Sequence, residues 1–186
     1  AAIDLGKYRY HWAVLGWWEG AGGVVVDYGV AEVVGNEGLK LDSKAADMEA
    51  SEPAIYRTLL NWRDELIGKS YVDASGASRR IDFVFVDSGT YTNAAYEFCR
   101  QVRGIFHPSK GQNPFHPKTT KTPTIIPGSN IYAAKQNNEE IWLYHLDTDH
   151  WKQWVHERFL TPTFDEQNML RRGSLSLFDG RHNSYC

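Results

Sequence analysis

The stretch IDFVFVDSGTYTNAAYEFCR, residues 81–100, decides the fold. Strand-forming apolar residues run from Phe83 to Val86, a carboxylate follows at Asp87, and Ser88-Gly89 break the run before a helix expected over 92–102. Strand, turn and helix in that order make up the first part of a parallel crossover. An acid at the tip of such a buried strand sits where the backbone is rigid and where solvent or substrate first gains access. That address suits chemistry, although one acid decides nothing.

Working outward, AAIDLGKYRYHWAVLGWW predicts a short strand at Ala2 to Leu5 and a longer one from Tyr8 to Trp18, and GGVVVDYGVAEV predicts a third. Gly-containing turns join them into an antiparallel meander. Residues 35–49 are polar and read as loop. Ser51-Glu52-Pro53 reads as a helix start, and Ile55, Leu59, Trp62 and Leu66 recur at helical spacing before Gly68 ends a helix of about four turns. Beyond residue 103, a Pro-, Lys-, Thr- and Gly-rich segment over 104–128 reads as one short strand and then a long loop, of a length often tied to function. NIYAAKQ and EEIWLYHLD read as strands, HWKQWVHERF as an amphipathic helix and SLSLF as a last short strand. The expected fold class is α/β, a mixed sheet with helices packed on its faces, in a single domain spanning 1–186.

Composition narrows the function. A chain of 186 residues that is 42% hydrophobic has the size and apolar content of one ordinary core. No apolar run approaches the roughly 20 residues of a membrane span, and no basic-then-apolar leader opens the chain, so a soluble protein without membrane attachment is expected. Cys99 and Cys186 are too few for a disulfide scaffold or a cysteine zinc site, which suits a reducing compartment. A formal net charge of −3 excludes coating nucleic acid by bulk charge alone. Between Phe98 and Asn138, however, there is no Asp or Glu, while Arg100, Arg103, Lys110, Lys118, Lys121 and Lys135 all fall there. A segment of one sign is either an electrostatic footprint for phosphates or a solvated loop.

Asp4, Asp87 and Asp147 each close, or nearly close, a predicted strand, with Asp149 two residues further on. Carboxylates gathered across neighbouring strands repel, and a hard divalent cation with oxygen ligands makes the cluster tolerable. Mg²⁺ or Mn²⁺ is the expected occupant, and two such ions would support phosphodiester hydrolysis with no covalent nucleophile. The structural alternative is that each Asp is a turn residue or helix cap, and Asp87 before Ser-Gly is the most open to it. Other chemistries fit less well. Ser88 lacks a glycine-flanked nucleophile elbow, and His145 with His150 lacks the spacing and Glu of a zinc protease. Trp17, Trp18, Trp142, Trp151 and Trp154 read as packing residues.

The stretches AIDLGKYRYHWAVLGWWEGAGGVVVDYGV, FVFVDSGTYTNAAYEFCR, SKG and IWLYHLDTDHWKQWVHERF, in that order, resemble the nuclease domain of the lambda-type terminase large subunit of tailed bacteriophages. The resemblance implies a ribonuclease H-like fold and a metal-dependent endonuclease, with two ions expected, that cuts concatemeric phage DNA during packaging in the cytoplasm of the infected bacterium. It implies that Asp4 and Asp87 bind metal, and that Asp147, with Lys152 as the associated lysine, lies near the site. Two extra residues separate Asp147 from Lys152 relative to the family pattern. Members continue past the final strand into a helix with another Asp, whereas this chain stops at GRHNSYC, so either Asp147 or Asp149 is expected to serve instead, or the nuclease is expected to be truncated at its C-terminus and weakened. No G-x-x-x-x-G-K-[ST] loop is present, so the ATP-driven motor is expected in a separate N-terminal part of a longer large subunit. Double-stranded DNA, that ATPase domain, the small subunit and the portal are the implied partners, with Lys110 and Lys152 set to offset phosphate charge. Two alternatives stay open: a non-catalytic DNA- or portal-docking module, and another ribonuclease H-like enzyme such as a junction resolvase.

Overall fold

The computed structural model describes residues 1–73, 75–112, 124–125, 130–136, 141–169 and 171–177. Three strands open the chain, β1 (Ala2–Leu5), β2 (Arg9–Trp18) and β3 (Gly22–Glu32), and pair antiparallel as a meander. Helix α1 (Lys44–Gly68) follows, then a small separate hairpin of β4 (Tyr71–Val72) and β5 (Ser78–Arg79). The crossover comes next: β6 (Val84–Asp87), α2 (Thr92–Val102) and β7 (Phe106–Gln112), with β1, β6 and β7 mutually parallel. The chain continues through β8 (Thr124–Ile125), β9 (Ile131–Lys135), β10 (Trp142–Asp147), α3 (Thr148–Leu160) and β11 (Leu175–Ser176). Among the described residues the main sheet has nine strands, in the order β11-β3-β2-β1-β6-β7-β10-β9-β8. It is a mixed α/β sheet, consistent with a ribonuclease H-like architecture.

One face of the sheet carries the main core. Ile3, Leu5, Tyr10, Val14, Val84 and Val86 point into it and meet Ile55, Leu59 and Leu66 of α1 and Ala95 and Phe98 of α2. Period-2 alternation in the strands against near-3.6 spacing in the helices makes the two layers interlock. Trp12 follows Tyr10 on this face and packs on Trp62 of α1, with ring centroids 5.3 Å apart.

On the opposite face, α3 leans on Trp17. The Trp17 and Trp154 centroids are 5.8 Å apart, those of Trp154 and Trp151 are 5.5 Å apart, and the Arg158 guanidinium lies 3.7 Å over the Trp154 ring. Trp151, Trp154, Val155 and Arg158 share one helical face and are the half-buried positions of this stretch. Gly23 is needed here, because a Cβ would come within 2.6 Å of the Trp17 ring. The tryptophans of this group pack as the sequence suggests, although Trp17 stays 50% and Trp142 47% exposed.

The main departure from the sequence reading is the start of α1. Residues 35–49 are not all loop, because the helix begins at Lys44, with the Ser43 hydroxyl accepting from the Ala46 N–H at 3.1 Å. Lys44 to Ala50 is rich in good helix formers, so the helix runs on through Pro53 rather than starting there. The proline forfeits one backbone hydrogen bond inside the helix. The early turns are pinned instead by tertiary contacts. Asp47 takes the Lys7 ammonium at 2.7 Å and the Leu41 N–H at 3.2 Å. The buried Asn36 amide donates to the carbonyls of Lys7 at 2.8 Å and Ser51 at 3.2 Å. These bonds fix the β1–β2 turn, and with it the end of β1.

Candidate active site

Parallel pairing of β1 with β6 sets Ala2 level with Phe85 and Ile3 level with Val86. Asp4 and Asp87 are the next residue on each strand. Ile3 and Val86 are buried toward the helices, so alternation turns the two carboxylates to the opposite, open face. Asp4 is exposed there and Asp87 half-buried. Their proximity is electrostatic as well as topological. Burial pushes the Asp87 carboxyl above its ordinary range, the Gly89 N–H draws it back, the negative charge of Asp4 pushes it up further, and Lys110 draws it down.

The turn after β6 is built to hold Asp87 in place. The Gly89 N–H donates to Asp87 Oδ1 at 3.1 Å, so the acid also serves its own turn, as the structural reading of Asp-Ser-Gly anticipates. A Cβ on Gly89 would sit 3.3 Å from that same oxygen, so a side chain there would crowd the carboxylate. Ser88 is fully buried and its hydroxyl donates to the Ser109 carbonyl at 2.8 Å, which gives it a structural task and no access to substrate. Thr92 closes the turn by donating to the Ser88 carbonyl at 2.8 Å.

The remaining predicted residues are distributed more widely. Asp147 ends β10, and its carboxylate accepts the His150 N–H at 3.1 Å as the N-cap of α3. Asp87 is level with Ser109 on β7, whereas Asp147 is level with Gln112, so on ideal sheet spacing their backbones stand roughly 14 Å apart. Asp149 is exposed in the first turn of α3, and Lys152 is exposed one turn later. Among the described residues no three Asp, Glu, His or Cys side chains gather as a metal-holding group, so Asp149 joins no such cluster with the Asp4–Asp87 pair. Arg100 lies in the last turn of α2 and Arg103 at its C-cap. Because α2 runs back from the acid end of the sheet, they stand toward its other end, about 12 Å (Arg100) and about 16 Å (Arg103) along the helix. Lys118 and Lys121 lie outside the described residues. Lys110, on β7, is the cation of that segment whose charge reaches Asp87.

Two side chains near the pair escape the sequence reading. Antiparallel pairing sets His11 level with Asp4, and Arg9 stands two residues nearer the turn on the same face of β2. The signal that could have found them is the tight Gly6-Lys7-Tyr8 turn, which folds β2 back on β1 and fixes the register. Gly6 is required at this turn, since a Cβ would collide with the Arg9 carbonyl at 2.4 Å.

Paired carboxylates on adjacent strand ends, one of them held up by burial and by the other's charge, are oxygen donors of the kind a hard divalent cation takes, so the chemistry of the two residues fits an ion of the Mg²⁺ or Mn²⁺ class. Residues 1–171 match the family described as terminase large subunit gpA, endonuclease domain. No curated protein and no solved structure matches the chain.

Proposed function

Because the chain belongs to the family of terminase large subunit endonuclease domains, we propose that it cleaves concatemeric double-stranded phage DNA during genome packaging, as a metal-dependent endonuclease. The place of action is the cytoplasm of the infected bacterium, and the partners are the packaging ATPase, the small terminase subunit and the portal. No helix among the described residues is long and apolar enough to cross a membrane.

The observation that carries this reading is the side-by-side placement of Asp4 and Asp87 on the parallel strands β1 and β6. Asp4 and Asp87 would hold Mg²⁺ or Mn²⁺. Two such ions, when bound, supply an activated water and offset charge on the leaving oxygen. The chain's own groups do the rest. The Gly89 N–H keeps Asp87 Oδ1 oriented, the buried Ser88 hydroxyl anchors the turn to β7, and Lys110 lends positive charge on the β7 side. Asp147, placed as the cap of α3, acts on the position of that helix, and a further ligand to the ions comes from water, the DNA phosphate or a residue outside the described set.

The test is nicking of supercoiled plasmid with Mg²⁺, with Mn²⁺ and with EDTA, on the wild type and on Asp87→Asn. Nicking that needs the ion and falls at least about a hundredfold in the variant is expected, since the acid pair would hold the ion that supplies most of the catalysis. One observation favours a second reading. With no third acid gathered at the pair among the described residues, the domain could dock DNA without cutting it, and DNA binding without nicking under any ion would establish that.

A further inference from the structure

The open face of the sheet beside the acid pair holds a second feature. The pairing puts His11 directly across from Asp4 and Arg9 across the strand from Glu32, with both basic side chains on the face that bears Asp4. Directly opposed residues in such a ladder have Cβ atoms about 5 Å apart, and diagonal neighbours about 7–8 Å apart. A long Arg side chain at that diagonal spans the distance to a phosphate next to the one at the carboxylates. Both residues are exposed.

The bland alternative for Arg9 is a surface ion pair with Glu32. The ion pairs among the described residues are Lys7–Asp47, Arg63–Asp64, Lys69–Asp27 and Arg79–Asp73, and Arg9 takes part in none of them. Nor, among the described residues, does its side chain take part in a hydrogen bond or a cation–ring contact. Lys7, the other cation of this turn, is committed to Asp47 and to the Leu39 carbonyl and is unavailable to a ligand. Lys110 on β7 reaches Asp87 by charge, but the β6–β7 register sets Ser109 and not Lys110 on the acid face, which leaves Arg9 and His11 as the basic groups beside the pair on that face. Two carboxylates alone would repel a nucleic-acid backbone, and a positive group beside them is what such a face requires to seat one.

We propose that Arg9, assisted by His11, is a phosphate grip that seats the backbone of duplex DNA on the β2 side of the acid pair. This rests on the nuclease reading for its substrate class. The contact reads the backbone and carries no base specificity, because both residues sit on a sheet face beside the acids and not on a helix or ribbon shaped to enter a groove.

The experiment measures binding of a short labelled duplex by fluorescence anisotropy in Ca²⁺ across a salt series, beside the plasmid-nicking assay in Mn²⁺. Arg9→Ala is expected to weaken binding roughly three- to tenfold and to lower the slope of log K against log salt by about one, whatever the duplex sequence. Arg9→Lys should restore most of the affinity, since a phosphate accepts a point charge. His11→Ala should give a smaller loss in the same direction. Arg79→Ala, on the β4–β5 hairpin, should bind as wild type. Should Arg9→Ala fold poorly, Arg9→Gln replaces it, with the thermal midpoint as the check. Affinity and salt slope unchanged in the Arg9 variants would overturn the grip while leaving nicking, and the nuclease reading, intact. An Arg9-dependent affinity in a protein that nicks under no ion would keep the grip and overturn the nuclease. A wild type that does not bind duplex at all overturns the grip.

Discussion

At Asp87, burial and the charge of Asp4 both favour the neutral acid, and the Gly89 N–H and Lys110 only partly oppose them. The sign for stability follows from linkage. A carboxyl raised in the folded state binds its proton more tightly there than in the unfolded chain, so metal-free stability falls as pH rises from the ordinary carboxylate range through the raised value. Asp87→Asn removes that penalty. The variant should therefore melt above the metal-free wild type at neutral pH while losing nicking, and Mn²⁺ should raise the melting temperature of the wild type more than that of the variant. Differential scanning calorimetry with and without EDTA checks both, and equal midpoints without metal would contradict the strain assigned to the pair. Each acid can be found in the sequence, because an Asp after an apolar run marks a strand tip. Their partnership cannot, since it depends on how β1 and β6 align across a long intervening stretch. Arg9 and His11 are hidden differently: neither follows an apolar run as the acids do, and only the β1–β2 register gives them a neighbour worth noticing.

Among the elements, the helices and strands with strong periodicity are readable in the residues, and the limits of α2 at Thr92 and Val102 coincide with the expectation. The start of α1 is not. Ser51-Glu52-Pro53 carries a genuine helix-start pattern, but Ser43 offers a cap as well, and tertiary bonds from Lys7 and Asn36 select the longer helix. Strands β7 and β10 supply a pH test. His107 lies stacked on Phe83, with centroids 4.3 Å apart, and burial depresses its pKa. His145 is depressed by burial and then by Lys110, and its Nδ1 is 2.8 Å from the Gln112 amide nitrogen, which suits a neutral ring accepting at that atom. A histidine depressed in the fold leaves stability intact above the unfolded value near 6.5 and erodes it as pH falls below, because the unfolded chain takes up the proton first. Urea midpoints should thus decline from pH 7.5 to 5, and His107→Phe should flatten the decline while keeping the stack on Phe83.

For the whole molecule, one apolar layer between the sheet and α1 with α2 holds the acid-bearing strands in place. Leu59 is fully buried at its centre, and Leu59→Ala should cost about 2–5 kcal/mol, a large share of the roughly 5–15 kcal/mol expected of a domain. Chemical denaturation measures it, and a cost below about 1 kcal/mol would mean the layer is looser than its burial implies. The alternation of strand and helix made the mixed sheet legible from the residues alone. Its full width was not, because β11 joins β3 through pairing that no local pattern announces.

That last pairing has its own consequence. Leu175 and Ser176 align with Gly23 and Val24, so the strand bordering the first-made hairpin is contributed by the last described part of the chain. During synthesis on a ribosome the meander can form early, yet its outer border must wait until the helices and strands between β3 and β11 have emerged. A nascent chain stalled before α3 would present that border bare, inviting a neighbouring polypeptide to pair with it in place of the missing segment.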